Sequence, residues 1–144
     1  MMESEMGRVL TTALIENLGD LFEVTRGKRS DDEVRRITVS KALVDTGATT
    51  LCLPTSLIAQ LGLKKQYEKH ARSTRGLGVV SVYEAVRVTI MERSCTVDVM
   101  EVPDGIPALI GQVPLEMLDL VIDLQGCQLT GNPEHGGEHM LELY

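Results

Sequence analysis

The chain predicts a mainly β domain with two short helices, and three observations carry that prediction. Apolar residues recur with period-two alternation in short runs, and Gly, Pro, Asn and Asp turn signals separate the runs. Only two segments, "SLIAQLGL" and residues 113–118, have a helix-like pattern. Hydrophobic residues make up 43% of the 144-residue chain, yet aromatic residues only 3% with no tryptophan. The core must therefore be built from Val, Leu, Ile, Ala and Met. With no internal repeat, low-complexity tract or linker, the expectation is one domain over residues 1–144.

In chain order, "RVLTTALIENL" and "LFEVTR" flank Gly19-Asp20 and read as a hairpin. A charged loop over about residues 26–34, "RGKRSDDE", reads as a mobile excursion. Residues 34–39 alternate apolar and polar, and from Ala42 the run becomes continuously apolar, as in a strand entering a core. After "TLCLP", Pro54-Thr55-Ser56 can start a helix that Gly62 stops. Arg75-Gly76-Leu77-Gly78 lies between two strand-like runs and reads as a hairpin tip. "EAVRVTI" and "CTVDVMEV" alternate around a turn at Glu92-Arg93-Ser94. A short strand over residues 108–110 follows, then Gly111, the second helix, and the strand "LVIDL". The turn-rich tail, residues 131–144, is expected to end in a short alternating strand, "HMLELY".

Bulk properties exclude several classes. A formal net charge of −7 argues against a nucleic-acid partner, which calls for a basic face. No window is apolar enough for a membrane span, and "MMESEMGRVL" lacks the apolar core of a signal peptide, so a cytoplasmic location is expected. The three cysteines, Cys52, Cys95 and Cys127, have no metal spacing and lie among apolar residues, which predicts buried free thiols. His135, Glu138 and His139 spell H-x-x-E-H, a zinc pattern that works only on a helix, and Pro133 and Gly136-Gly137 oppose one there. An exposed turn is expected, with no metal and no cofactor. The basic residues Lys64, Lys65, Lys69, Arg72 and Arg75 could favour acidic substrates, but read first as a solvated strand edge that deters edge-to-edge pairing.

The stretch that asks for an explanation is "ALVDTGATTLCLP", residues 42–54. It drives Asp45 into the end of an apolar strand and follows it with Thr46, Gly47 and Ala48. An unpaired carboxylate in apolar surroundings is costly, so it must be paired or put to use.

Together with the later "PALIGQVPLEML", this stretch resembles the retropepsin-like aspartic proteases. The resemblance covers roughly residues 34–129, and the tail "GNPEHGGE" is similar to tails of single-domain prokaryotic members. It implies a retropepsin-like closed barrel with one lobe per chain. It also implies an aspartic endopeptidase in which water is activated between two carboxylates, one ionised and one protonated. The chain holds one Asp-Thr-Gly, and neither Asp98 nor Asp123 sits in such a motif. The second carboxylate must therefore come from a second copy, which makes a homodimer a requirement of the mechanism.

On the same resemblance Asp45 is catalytic, and Thr46 bonds the partner's loop. Gly47 keeps its N–H near the carboxylate, and Ala48 packs beneath. Gly76, Leu77 and Gly78 form a flap over a polypeptide substrate, and Leu109, Ile110 and Gly111 pack under the catalytic loop. Many retroviral members pair an Asp after this motif with an Arg after the late glycine; here those positions are Thr49 and Gln112. A neutral contact between the two side chains is the expected replacement. The alternative function is a catalytically silent dimeric module of the same fold that binds peptides. A structural β-barrel dimer with no ligand is a third.

Overall fold

A computed structural model of the chain describes residues 8–73 and 76–143. It is mainly β. Strand β1 (Leu10–Asn17) leads into helix α1 (Leu18–Thr25), and β2 (Arg36–Val44) runs into the Asp45 corner. Strand β3 (Leu51–Pro54), helix α2 (Thr55–Gln60) and the long strands β4 (Lys65–Ser73), β5 (Gly76–Ile90) and β6 (Arg93–Val102) follow. The two-residue strand β7 (Leu109–Ile110) passes into helix α3 (Gln112–Leu118), and β8 (Leu120–Asp123) pairs with β9 (Gln128–Gly131).

The main sheet has the order β1-β2-β7-β3-β6-β5-β4, and β1 also pairs with β5. Six strands thus pair in a ring, and among the described residues β4 attaches only to β5 outside it. Two pairings, β2 with β7 and β3 with β6, are parallel between segments far apart in sequence. Ile15, Leu51, Leu53, Ile90, Ile110 and Leu118 are fully buried within the core. At about 1.5–3 kcal/mol for each such side chain, this aliphatic burial is the main driving term, as the aromatic-poor composition requires.

Several sequence expectations need correction. Gly19-Asp20 is not a hairpin tip but the first turn of α1, which makes three α-helices in place of two. Asn17 caps the helix by accepting the Asp20 N–H at 3.0 Å, while its amide donates to the Leu61 carbonyl at 2.8 Å. Both edges of β1 are already taken by β2 and β5, so no edge was left for a returning strand. The charged loop after α1 is tied down. It contains a short 3-10 turn (Asp31–Glu33), and Arg29 pairs with Glu23 at 2.7 Å and Asp20 at 3.5 Å.

The β5–β6 turn lies at Met91 and Glu92, one position earlier than the sequence suggested. Both residues have positive φ (52° and 65°), the backbone of a two-residue hairpin loop of the mirror-image type. Neither is the Asn or Gly that would have signalled it. The tail forms no final strand over residues 138–143, and folds back on Asp119 instead. Of the three free cysteines only Cys52 is buried; Cys95 is half-buried and Cys127 exposed, at a left-handed turn position between β8 and β9. Helix α2 does end at Gly62, whose φ of +66° is a left-handed position that glycine occupies without strain. Among the described residues, no helix is long and apolar enough to cross a membrane.

Candidate active site

Asp45 sits where β2 stops. Leu43 and Val44 pair in parallel with Leu109 and Ile110, and the ladder closes with the Asp45 N–H donating to the Ile110 carbonyl at 2.9 Å. The chain then turns back on itself, with the Ala48 N–H donating to the Asp45 carbonyl at 3.0 Å. The Gly47 N–H donates to the Asp45 Oδ1 at 2.9 Å, and a Cβ at residue 47 would lie 3.1 Å from that oxygen. The side chain is half-buried. Its second oxygen, Oδ2, has no hydrogen-bond partner among the described residues.

The β7–α3 segment holds this loop from beneath through three main-chain hydrogen bonds. Gly111 N–H donates to Thr50 carbonyl at 3.0 Å, Gln112 N–H to Ala48 carbonyl at 2.9 Å, and Val113 N–H to Thr49 carbonyl at 2.8 Å. So close an approach leaves no room for a side chain at residue 111, where a Cβ would lie 2.4 Å from the Thr50 carbonyl oxygen. The expected side-chain contact between Thr49 and Gln112 is absent. Gln112 Nε2 instead donates to Glu116 Oε1 at 2.9 Å, one helical turn on, and the backbone alone joins the two segments.

Thr50, which the sequence reading passed over, anchors the far end of the loop. It is buried, and its hydroxyl donates to the Asp98 carbonyl on β6 at 3.2 Å. A threonine doublet directly before an apolar strand was the only signal available. Cys52 lies in the next strand; burial first, and the negative charge of Asp45 second, push its thiol up to about 11.

A cleft of about 460 Å³ separates the loop from the β4–β5 hairpin. Residues 47–49 form one wall and residues 69–72 of β4 the other, and Cys52, Val80 and Met100 supply apolar lining. A second cavity of about 300 Å³ shares Thr49, Lys69 and Met100 with it. The hairpin pairs in register out to Ser73 opposite Gly76. Gly76, with φ of +106°, Leu77 and Gly78 are exposed at its outer end, while Arg75 lies outside the described residues. Gly76, Leu77 and Gly78 do not line the cleft in this one chain.

The H-x-x-E-H residues fall on a 3-10 turn (Pro133–His135) and the irregular segment after it. His135 Nδ1 pairs with Asp119 at 2.7 Å and Nε2 with Glu142 at 3.2 Å, whereas His139 contacts the Met117 carbonyl at 3.2 Å. The two histidines thus have separate partners. Among the described residues, no group of three or more His, Cys, Asp or Glu side chains is placed to hold a metal ion.

A search of curated proteins finds no match to the chain. Against known families, residues 33–112 match the model described as aspartyl protease. That span starts just before β2 and ends at the first residue of α3. It therefore contains the Asp45 loop, the β4–β5 hairpin and the β7–Gly111 support, and it exceeds half of the 144-residue chain. By the extent of that match, the chain belongs to the aspartyl protease family.

Proposed function

We propose that the chain is a cytoplasmic aspartic endopeptidase of the retropepsin-like, closed-barrel type, whose active site is completed by a second copy. The observation that carries this reading is the half-exposed Asp45 carboxylate. One oxygen is held by the Gly47 N–H, the other has no partner among the described residues, and the loop that bears it borders a peptide-sized cleft. Two such carboxylates facing each other across a two-fold axis cannot both ionise. The ionised one takes a proton from a water molecule as its oxygen attacks the scissile carbonyl carbon. The protonated one donates to the carbonyl oxygen. No cofactor enters this scheme.

Thr46 is exposed and its hydroxyl has no partner among the described residues, so it is free to bond the partner's loop. Ala48 and the Leu109, Ile110 and Gly111 segment hold the loop rigid. The hairpin ending in Gly76, Leu77 and Gly78 serves as the flap, closing over an extended polypeptide and excluding water.

The test is cleavage of a complex peptide library by wild type and Asp45→Asn, read by mass spectrometry, alongside sedimentation analysis. Asp45→Asn should lose roughly 10³-fold or more in kcat/KM, as removal of a general acid–base pair does. Specific activity of wild type should fall on dilution as the dimer dissociates. Equal cleavage by both proteins would overturn the proposal. Peptide binding without any cleavage would point to the silent binding module.

A further inference from the structure

On the peptide-cleft reading above, we propose that Lys69 and Arg72 select substrates that carry a carboxylate side chain in the segment lying along β4. Apart from the Cys52 thiol, the ionisable residues lining the 460 Å³ cleft are all basic: Lys69, His70 and Arg72. This occurs in a chain where Asp and Glu number 21 against 14 Lys and Arg. Chance placement would give the opposite balance.

A solvated strand edge would also be basic, but the partners along β4 separate the two roles. Lys65, outside the cleft, is neutralised by Glu68 at 2.6 Å. Lys69 and Arg72 have no carboxylate within ion-pairing distance among the described residues. Lys69 instead lies over the Tyr67 ring, 5.5 Å from its centroid, which positions the ammonium and leaves its charge uncompensated.

Of the carboxylates on facing elements, Asp45 belongs to the loop that forms the opposite wall and is engaged by the Gly47 N–H. Neither it nor the two on β6 forms an ion pair with Lys69 or Arg72 among the described residues. Asp98 lines the neighbouring cavity with Lys69 but forms no ion pair with it, and Glu101 accepts from Thr55 at 2.7 Å and Tyr83 at 3.3 Å. Cys52, Val80 and Met100 supply apolar lining beside them, while Lys69 and Arg72 themselves are exposed, so each adds a modest, salt-sensitive pull on a bound anion.

The experiment compares matched peptides that differ only in Glu or Gln at positions flanking the scissile bond. It uses the full-length protein and two readouts: kcat/KM by wild type, and binding to Asp45→Asn by fluorescence anisotropy. Wild type should favour Glu over Gln by roughly fivefold, since exposed pairs contribute modestly and two act together. The ratio should shrink in about 0.5 M salt, where the screening length falls to a few ångströms.

Lys69→Gln with Arg72→Gln should bring the ratio to about one, Arg72→Glu should favour a Lys peptide, and Lys65→Gln should leave it unchanged. General damage to the protein cancels in the ratio. Cleavage with no Glu preference, or a preference that survives the double substitution, overturns this inference and leaves the endopeptidase intact. A Glu preference in binding with no cleavage overturns the endopeptidase and supports this inference. Neither binding nor cleavage of either peptide overturns both.

Discussion

Replacing Gly111 by alanine probes the support beneath the Asp45 loop. A Cβ there would lie 2.4 Å from the Thr50 carbonyl oxygen, 2.6 Å from the Ala48 carbonyl oxygen and 2.8 Å from the Ala48 carbonyl carbon. All three are main-chain atoms, so no side chain can rotate away and the loop or β7 must move by about 1 Å to restore ordinary contact. The backbone angle is not at issue, because φ at Gly111 is −87°, which any residue adopts. The cost combines overpacking, about 1–3 kcal/mol, with weakening of the hydrogen bonds from residues 111–113, about 0.5–1.5 kcal/mol each. A loss of about 3 kcal/mol is expected, which at this chain length lowers Tm by roughly 6–12 °C. On the proposed function, a displacement near 1 Å at the Asp45 carboxylate should also cost about 100-fold in kcat/KM in the molecules that remain folded. Urea denaturation and peptide hydrolysis measure the two effects. Gly105→Ala is the control, since nothing lies within 4 Å of a Cβ there. If Gly111→Ala were within about 0.5 kcal/mol of wild type, the close approach would not be what supports the loop.

Three further outcomes are expected. Asp20 is almost fully buried and takes hydrogen bonds from the Arg35 side chain and backbone, which hold its carboxyl below the usual value. Its stabilisation is present above about pH 4 and lost as pH falls through its lowered folded-state value. Asp20→Asn should therefore cost about 2 kcal/mol near neutrality and flatten the acid limb of an unfolding titration. The tail is joined to Asp119 through His135, whose proton is held above the usual imidazole range by Asp119 first and Glu142 second. That contribution is complete below about pH 6.5 and lost as pH rises through the raised value, so hydrogen-exchange protection over residues 132–143, corrected for the intrinsic base-catalysed rate, should fall in mild alkali. His135→Ala should lower that protection at all pH values and remove its change with pH. Met91→Asn with Glu92→Gly puts at these two positive-φ positions residues that adopt the left-handed region more readily and should stabilise by about 1–2 kcal/mol, read as a higher urea midpoint with an unchanged slope.

The sequence by itself determined what depends on neighbours along the chain. The alternation before Ala42, the apolar entry to Asp45 and the Pro54 and Gly62 limits of α2 are local patterns with local causes, and they reappear as strand, corner and helix. The family resemblance was legible for the same reason, because Asp45-Thr46-Gly47 and the later Leu109-Ile110-Gly111 are each short and contiguous.

Tertiary structure decided whatever depends on partners distant in sequence. Gly19-Asp20 became a helix start because Asn17 reaches Leu61 and Asp20 reaches Arg35, and no local pattern encodes those pairings. The segment ending in Leu143 stayed irregular, as its contacts lie at the Asp119 corner and no strand edge receives it. Thr49 and Gln112 are linked by backbone in place of side chains, since Gln112 found a nearer partner in Glu116. The cleft is likewise a product of folding: a charged strand edge becomes one wall of it only when β4 is carried opposite residues 47–49. Propensity and periodicity act over a few residues, whereas these outcomes were set by which surfaces a closed ring of strands left available.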